Sequence, residues 1–576
     1  MKKIINILVL VFTFFLIEGP IWNNNEIINF ILFAVMFVID LIIIFKTKKS
    51  DFCIDKIDLL ILSIPIIYII HMLFGLNVFS VKFNFYYIIP ELIVSITLLI
   101  LRRYLRKEHI NIVLEGLVYG SIFYFAVSLF ATDGVLSFLG IGSIFGDTYI
   151  TSIDRMYGTL FYCNSSALWS LISFFICFYK SKDNKDKYFY KVVMLMNLIA
   201  LSYTFSKMVT IIMILLFIVF IIYSFIKKNY NEIIRAISEL TSMIIPVFIS
   251  ISSLRMYLIN KNILIFLLTY VLVTILYLLI NLLLEYLMIK KKVIYIFCVV
   301  LLCGLSLYLF VSPVSIPLKI KNVRKENDYY ITDIILKPDS KNIIEIDYDG
   351  EGSFIFFLEA LVESNNVPDV INVGKFENNI FEFTAEDVEY YLLKIKGLNK
   401  DTNIKINKVL VNGEEYLINS LLVPYSLVHQ KELTLYDVES AGNRFKYYRD
   451  ALRYSKENYF LYGGGKMTFG YKRMNEKDKD YYEVIPHSYF FELIIDIGFL
   501  GGIYIILIYI IGSYKMIKNW KQEEHLAIYS IFCGISILLM FDPIMLEIVF
   551  KALYLFCFIV INDLGENQFK KLKLKS

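Results

Sequence analysis

Between Gly442 and Gly502 the chain gathers polar side chains with separable chemistry. Arg444 and Arg449, in GNRFKYYRDALRYSKENYF, carry fixed positive charge that forks onto phosphate or carboxylate oxygens. His487, directly behind Pro486, titrates near neutrality and can take a proton from a hydroxyl. It also reads as a ring at a membrane interface. Ser488 fits the N-cap of a following helix, and Glu492 and Asp496 lie one turn apart on that helix's first turns. Gly463-Gly464-Gly465 permits positive φ and close backbone approach to a ligand, but the Lys-Ser/Thr pair of a phosphate loop is missing. The chemistry this suggests is binding of an anion and removal of a proton.

Such a site must be held by elements in a membrane. Of 576 residues, 58% are hydrophobic and 19% charged, with a mean hydropathy of +0.63, too apolar for a water-soluble core. Apolar runs of spanning length recur fourteen times, from 2–18 through 489–514, 525–541 and 544–561. The first reads as a retained helix because no small-residue cleavage site follows it. Clusters such as Lys46-Lys48-Lys49, Arg102-Arg103-Arg106-Lys107, Lys290-Lys291-Lys292 and Lys515-Lys518-Lys521 fall in every second connection, which predicts that side, with both termini, to be cytoplasmic. The net charge of +4 is therefore a topology signal, with no basic domain for nucleic acid. The one large extracytoplasmic excursion, from Pro313 to about Pro486, has no cysteine, so neither a disulfide nor a thiolate metal site is expected there.

The predicted fold is an all-α polytopic membrane protein of about 14 transmembrane helices with an inserted extracytoplasmic β-sandwich-like domain. Its parts are transmembrane helices 1–11 over 1–312, the insert over 313–420, a catalytic-loop region with an amphipathic helix over 421–487, transmembrane helices 12–14 over 488–562, and a basic tail over 563–576. Within the insert, residues 328–418 alternate apolar and polar, with turns predicted at Asp349-Gly350, Asn399-Lys400 and Asn412-Gly413. Tyr329, Tyr330, Tyr390 and Tyr391 are stacking platforms for sugars or core aromatics. In the loop region, Phe445, Tyr448, Leu452 and Tyr459 are predicted to form one apolar helix face.

Further outer-side residues join the first group. The connection 131–156, apolar but rich in glycine, reads as an amphipathic or re-entrant piece that brings Arg155 to the start of RMYGTLFYCNSS, where Gly158 and Asn164 follow. Lys207 sits at a tight outer turn against the usual charge bias. Each is either a solitary or snorkelling charge or part of a cationic pocket with Arg444. Asp40, Glu91, Glu115, Glu285 and Glu547 lie near span ends, where interfacial solvation or packing pairs explain most of them. His71 reads as an interfacial ring, and few polar groups are expected at bilayer depth.

These motifs resemble the O-antigen ligase and O-antigen polymerase family. HSYFFELIIDIGFLGG is similar to that family's His-led ending, NRFKYYRDAL followed by GGG to its Arg-led amphipathic helix and glycine turn, RMYGTLFYCNSS to its Arg-Gly-Asn element, and TFSKM to its Ser-Arg pair. Ser488 stands where asparagine is usual and Lys207 where arginine is usual; lysine keeps the charge and loses the fork.

The resemblance implies an inverting, metal-independent glycosyltransferase without cofactor, moving an undecaprenyl-diphosphate-linked glycan to a glycan or other envelope acceptor among the membrane lipids. His487 and Arg444 would be catalytic, Arg155, Lys207, Arg444 and Arg449 would hold the diphosphate, and Asn164, Gly464, Ser488, Glu492 and Asp496 would support them. A lipid-linked glycan flippase or exporter and a non-enzymatic scaffold are the alternatives.

Overall fold

The computed structural model describes residues 1–21, 26–47, 54–74, 76, 81–130, 149–150, 156–158, 163–182, 185–204, 206–260, 263–311, 318–323, 328–335, 340–351, 354–364, 367–376, 380–384, 390–397, 402–416, 447–456, 460–466, 468–477, 486–519, 525–542 and 548–563. The chain divides into two compact units, one of Met1–Ile150, Arg155–Phe220 and Asp437–Ser576, the other of Thr151–Asp154 and Ile221–Tyr436.

The first unit is helical. Its elements are α1 (Lys2–Ile21), α2 (Glu26–Lys46), α3 (Lys56–Leu73), α4 (Val81–Tyr104), α5 (Lys107–Phe130), α6 (Cys163–Lys180), α7 (Lys187–Tyr203) and the larger part of α8 (Lys207–Ile226). After the excursion come α12 (Thr468–Lys477), α13 (Tyr489–Asp496), α14 (Phe499–Asn519), α15 (Leu526–Leu539) and α16 (Ile548–Asp563). Residues 447–456 are also helical. Every residue of α6 from Cys163 to Phe178 is buried, and so is α16 from Val549 to Asn562. Helices apolar on all sides belong inside a bundle. The two meet where Trp169 and Phe550 pack edge to face at 6.5 Å.

All fourteen apolar runs contain a helix, but among the described residues seven helices are long and apolar enough to cross a membrane. They are α2, α3, α5, α8, α14 and, in the second unit, α9 (Tyr230–Asn260) and α10 (Ile263–Lys290). The expectation of fourteen is corrected on physical grounds. The helices α7, α15 and α16 have 17, 14 and 16 residues, short of the roughly 20 that span the hydrocarbon. The run 489–514 is broken at Gly498, whose φ of 72° divides the eight-residue α13 from α14. The run beginning at 157 opens with strand β2 (Met156–Gly158), paired antiparallel with β1 (Tyr149–Ile150), and turns helical from Cys163.

The second unit holds α9, α10, α11 (Lys292–Val311) and two antiparallel sheets. One sheet has the order β11-β10-β5-β8, with β3 also on β10; the other has the order β4-β9-β6-β7. The strands are β3 (Leu318–Val323), β4 (Asp328–Ile335), β5 (Lys341–Glu351), β6 (Phe354–Ser364), β7 (Val367–Phe376), β8 (Ile380–Thr384), β9 (Tyr390–Gly397), β10 (Thr402–Val411) and β11 (Glu414–Tyr416).

Tyr348 of one sheet packs on Phe356 of the other at 5.2 Å. Asn412-Gly413 forms the predicted two-residue turn, with φ of 54° and 81°. The Asn412 side chain also accepts from Ile343 N–H at 2.8 Å. Asp349-Gly350 is not a turn: it continues β5, opposite Lys405 and Ile404, because cross-strand pairing overrides a local turn preference. Asn399-Lys400 lies outside the described residues. Tyr391 is buried in the core, and the side chains of Tyr329, Tyr330 and Tyr390 lie outside the description.

Candidate functional site

The helix α13 begins at Ser488 and is the element around which the polar residues collect. Ser488 occupies the N-cap, but its hydroxyl makes no cap bond; it donates to Leu539 O at 3.5 Å, fastening the start of α13 to the end of α15. Next to it, Tyr489 N–H donates to Asp542 O at 3.3 Å. The Asp542 carboxylate in turn accepts from the Asn164 amide at 2.5 Å, and the Ser206 hydroxyl donates to the Asn164 carbonyl oxygen. Asn164, Ser206, Ser488 and Asp542 are all buried. Three segments far apart in sequence therefore converge on Asp542, a residue that sequence reasoning passed over because Phe541-Asp542-Pro543 reads as an ordinary turn.

His487 precedes this knot with φ of 48°, a left-handed backbone unusual for a residue with a side chain. Its half-buried ring stacks on Tyr447 at 5.6 Å and its carbonyl accepts from the Tyr448 hydroxyl at 3.2 Å. The helix 447–456 thus leans on the histidine. Its buried face is Ala451 and Tyr454, packed with Phe469 and Ile495 and flanked by the half-buried Tyr447. This corrects the expected face: Leu452 is exposed, Tyr448 is half-buried, and the side chains of Phe445 and Tyr459 lie outside the described residues. The helix turns about 100° per residue, and the aromatic-rich sequence offers more than one apolar stripe.

The glycine turn binds backbone. Gly464 N–H donates to Ile495 O and Gly465 N–H to Asp496 O, both at 2.9 Å, so these donors are spent on α13. Gly463 has φ of 71°, and a Cβ there would meet the Asp496 carbonyl at 2.3 Å. The contact is reciprocal, since a Cβ on Gly498 would meet Leu461 O at 2.4 Å. Glycine is required at both positions for two backbones to touch.

Behind this contact lies a buried ion cluster. Lys466, from the residue after the turn, lies 3.9 Å from Glu91 of α4 and 3.8 Å from Glu492 of α13. Lys551 of α16 pairs with Glu91 at 2.7 Å. Asp496 accepts from the Tyr68 hydroxyl at 3.3 Å and from Thr468 N–H at 3.4 Å. Of the two readings of Glu91, solvation at a helix end or a packing pair, the structure shows the pair, and its partners Lys466 and Lys551 were not foreseen. A single lysine in an apolar run carries no spacing signal; only the pairing across helices explains it.

Other polar groups are also buried inside the protein. Asp40 accepts from Thr97 at 2.6 Å, Glu18 is fully buried, and the His71 ring is buried edge-on against Tyr68. In the second unit, Glu239 accepts from Tyr277 at 2.8 Å and Asn281 at 3.1 Å.

Of the predicted anion-binding residues, Arg449 is exposed, Lys207 opens α8 with its side chain outside the description, and Arg155 and Arg444 lie outside the described residues. Among the described residues, no group of three or more His, Cys, Asp or Glu side chains is arranged to hold a metal ion. No family model, no curated protein and no solved structure matches the chain.

Proposed function

We propose that the protein is a membrane glycosyltransferase that moves or polymerises a glycan carried on an undecaprenyl diphosphate, at the outer face of the cytoplasmic membrane. The observation that carries the reading is the convergence on Asp542. Asn164, Ser206 and Tyr489 belong to three of the four segments that resemble the O-antigen ligase and polymerase family, and hydrogen bonds link them through Asp542 beside His487. In the proposed step His487 takes the proton of the acceptor hydroxyl as its oxygen bonds to the anomeric carbon. The bond from that carbon to the diphosphate breaks, and the leaving group keeps the electron pair. Arg444, with Lys207, Arg155 and Arg449, would neutralise that charge. The β-sandwich-like insert would present or receive the acceptor glycan.

The test is release of undecaprenyl diphosphate from a lipid-linked glycan by detergent-purified protein. His487→Ala should lower turnover roughly 10²-fold or more with donor binding little changed, while Arg444→Ala should weaken both. Wild-type turnover by His487→Ala between pH 6 and 8 would remove the base from this mechanism. A second reading, a lipid-linked glycan flippase, is favoured by the buried Glu91, Lys466 and Lys551, since ionisable groups at depth often line transport paths. Translocation of the lipid-linked glycan in vesicles without release of the diphosphate would select it.

A further inference from the structure

We propose that the ion cluster around α13 is a proton-binding site, in which Glu492 and Asp496 together hold one proton at neutral pH and thereby keep the glycine turn docked. This goes beyond the glycosyl-transfer reading and does not depend on it.

The first support is a charge count. Three carboxylic acids, Glu91, Glu492 and Asp496, face two ammonium groups, Lys466 and Lys551, and each of the five side chains is more than nine-tenths buried. Among the described residues, the other titratable groups facing them are the phenols Tyr68 of α3, Tyr489 of α13 and Tyr504 of α14, which bring no positive charge. With every acid ionised the cluster would carry one uncompensated negative charge away from water, which is costly. One proton removes it.

The second support is where the partners fall. Glu91 has Lys551 at 2.7 Å and needs no proton. Glu492 is 2% exposed, accepts no hydrogen bond among the described residues, and has its nearest ammonium at 3.8 Å, beyond hydrogen-bond distance. Asp496, one turn along the same helix, is held by a phenol and a backbone amide, with no ammonium in contact among the described residues. Like charges at this spacing repel, and a shared proton relieves the repulsion.

The consequence follows from geometry. Lys466 and Thr468 flank the glycine turn on its C-terminal side and reach Glu492 and Asp496, whose helix also receives the Gly464 and Gly465 N–H groups. Loss of the proton would set two bare carboxylates against each other where the turn docks.

The experiment is infrared titration of the full chain in lipid nanodiscs, reading the C=O stretch of protonated carboxyl groups. Other buried acids such as Glu18 and Asp40 contribute, so the assignment is by difference between variants. At pH 7, Glu492→Gln and Asp496→Asn should each remove one protonated carboxyl, because two acids then balance two lysines. Glu115→Gln, outside the cluster, should remove none. Lys466→Met should add one, because three acids then face a single ammonium. If Lys466→Met does not elute as a single species, Lys551→Met serves the same count. An unchanged protonated-carboxyl signal in both Glu492→Gln and Asp496→Asn would overturn the proposal, as would a lysine variant that folds and gains none.

Discussion

The first unit contains two clusters with the same charge count and opposite construction. Around Arg102, two guanidiniums meet three carboxylates: Arg102 reaches Asp55 at 2.6 Å, Asp58 at 2.7 Å and Asp563 at 3.1 Å, and Arg103 reaches Asp58 at 2.7 Å. Around α13, two ammoniums also meet three carboxylates, with Lys466 at 3.8 and 3.9 Å from its partners. The guanidinium is planar and forked, so one side chain satisfies three acids; the ammonium is a point charge that sits between them. The Asp55 side chain is 51% exposed, so water takes up the extra negative charge there. No water-exposed acid is available in the α13 cluster. One network is completed by water at its exposed acid, while the other is left to be completed by a proton.

The Arg102 network also joins three segments that the lysine pattern assigns to a single membrane side: the start of α3, the end of α4 and the end of α16. Replacing its hub should give the largest effect. Arg102→Ala leaves Asp58, 2% exposed, with one cation instead of two, and removes the tie to Asp563 altogether. Breaking a buried pair of this kind costs about 3–5 kcal/mol. Chemical unfolding in detergent micelles should register the loss, and a change within error of wild type would mean that the network is redundant.

A smaller effect is expected where the second cluster depends on backbone. Gly463→Ala forces a Cβ to within 2.3 Å of the Asp496 carbonyl and places a side chain at φ of 71°. Holding a non-glycine residue there costs about 1–3 kcal/mol unless the turn moves away. If it moves, Lys466 leaves Glu492, and hydrogen exchange over 460–468 should rise while the ends of α3 and α4 at Arg102 stay protected. Exchange rising equally at both places would show that the two clusters do not respond independently.

How far the sequence reveals this architecture depends on the kind of signal. Apolar runs and the Asn412-Gly413 turn were legible because length and local φ preference act within a few residues. The break at Gly498 was not, because Gly-Phe-Leu-Gly inside an apolar run also fits a continuous helix that packs closely. His487, Ser488, Glu492 and Asp496 stood out as polar groups at the edge of such a run, and all four lie on or beside α13. Their partners did not. Glu91, Lys466 and Lys551 are each solitary in sequence, and Asp542 sits in a common turn tripeptide, so their roles exist only once the helices have packed. Local chemistry can be read along the chain; charge balance across helices cannot.

The smallest predicted effect separates the two clusters by pH. Hydrogen bonds from Arg102 are the main cause that pulls Asp55 down to about 2, against a lesser upward push from burial. An Asp in an unfolded chain titrates near 4. The stability that Asp55 contributes is thus complete above about pH 4 and is lost as pH falls toward about 2. Because half of its surface meets water, screening keeps the contribution small. Asp55 also caps α3 through the Ile57 and Asp58 N–H groups, and asparagine is as good a cap, so Asp55→Asn removes the charge and leaves the cap. Thermal unfolding between pH 2 and 6 should show a shallower acid dependence for Asp55→Asn than for wild type. The α13 cluster predicts the opposite arm: a site that holds an extra proton when folded loses stability as pH rises, and Glu492→Gln should flatten that alkaline side without touching the acid one. Identical acid arms for wild type and Asp55→Asn would mean that the salt links to Arg102 do not survive in solution, and the contrast between the two clusters would then rest on α13 alone.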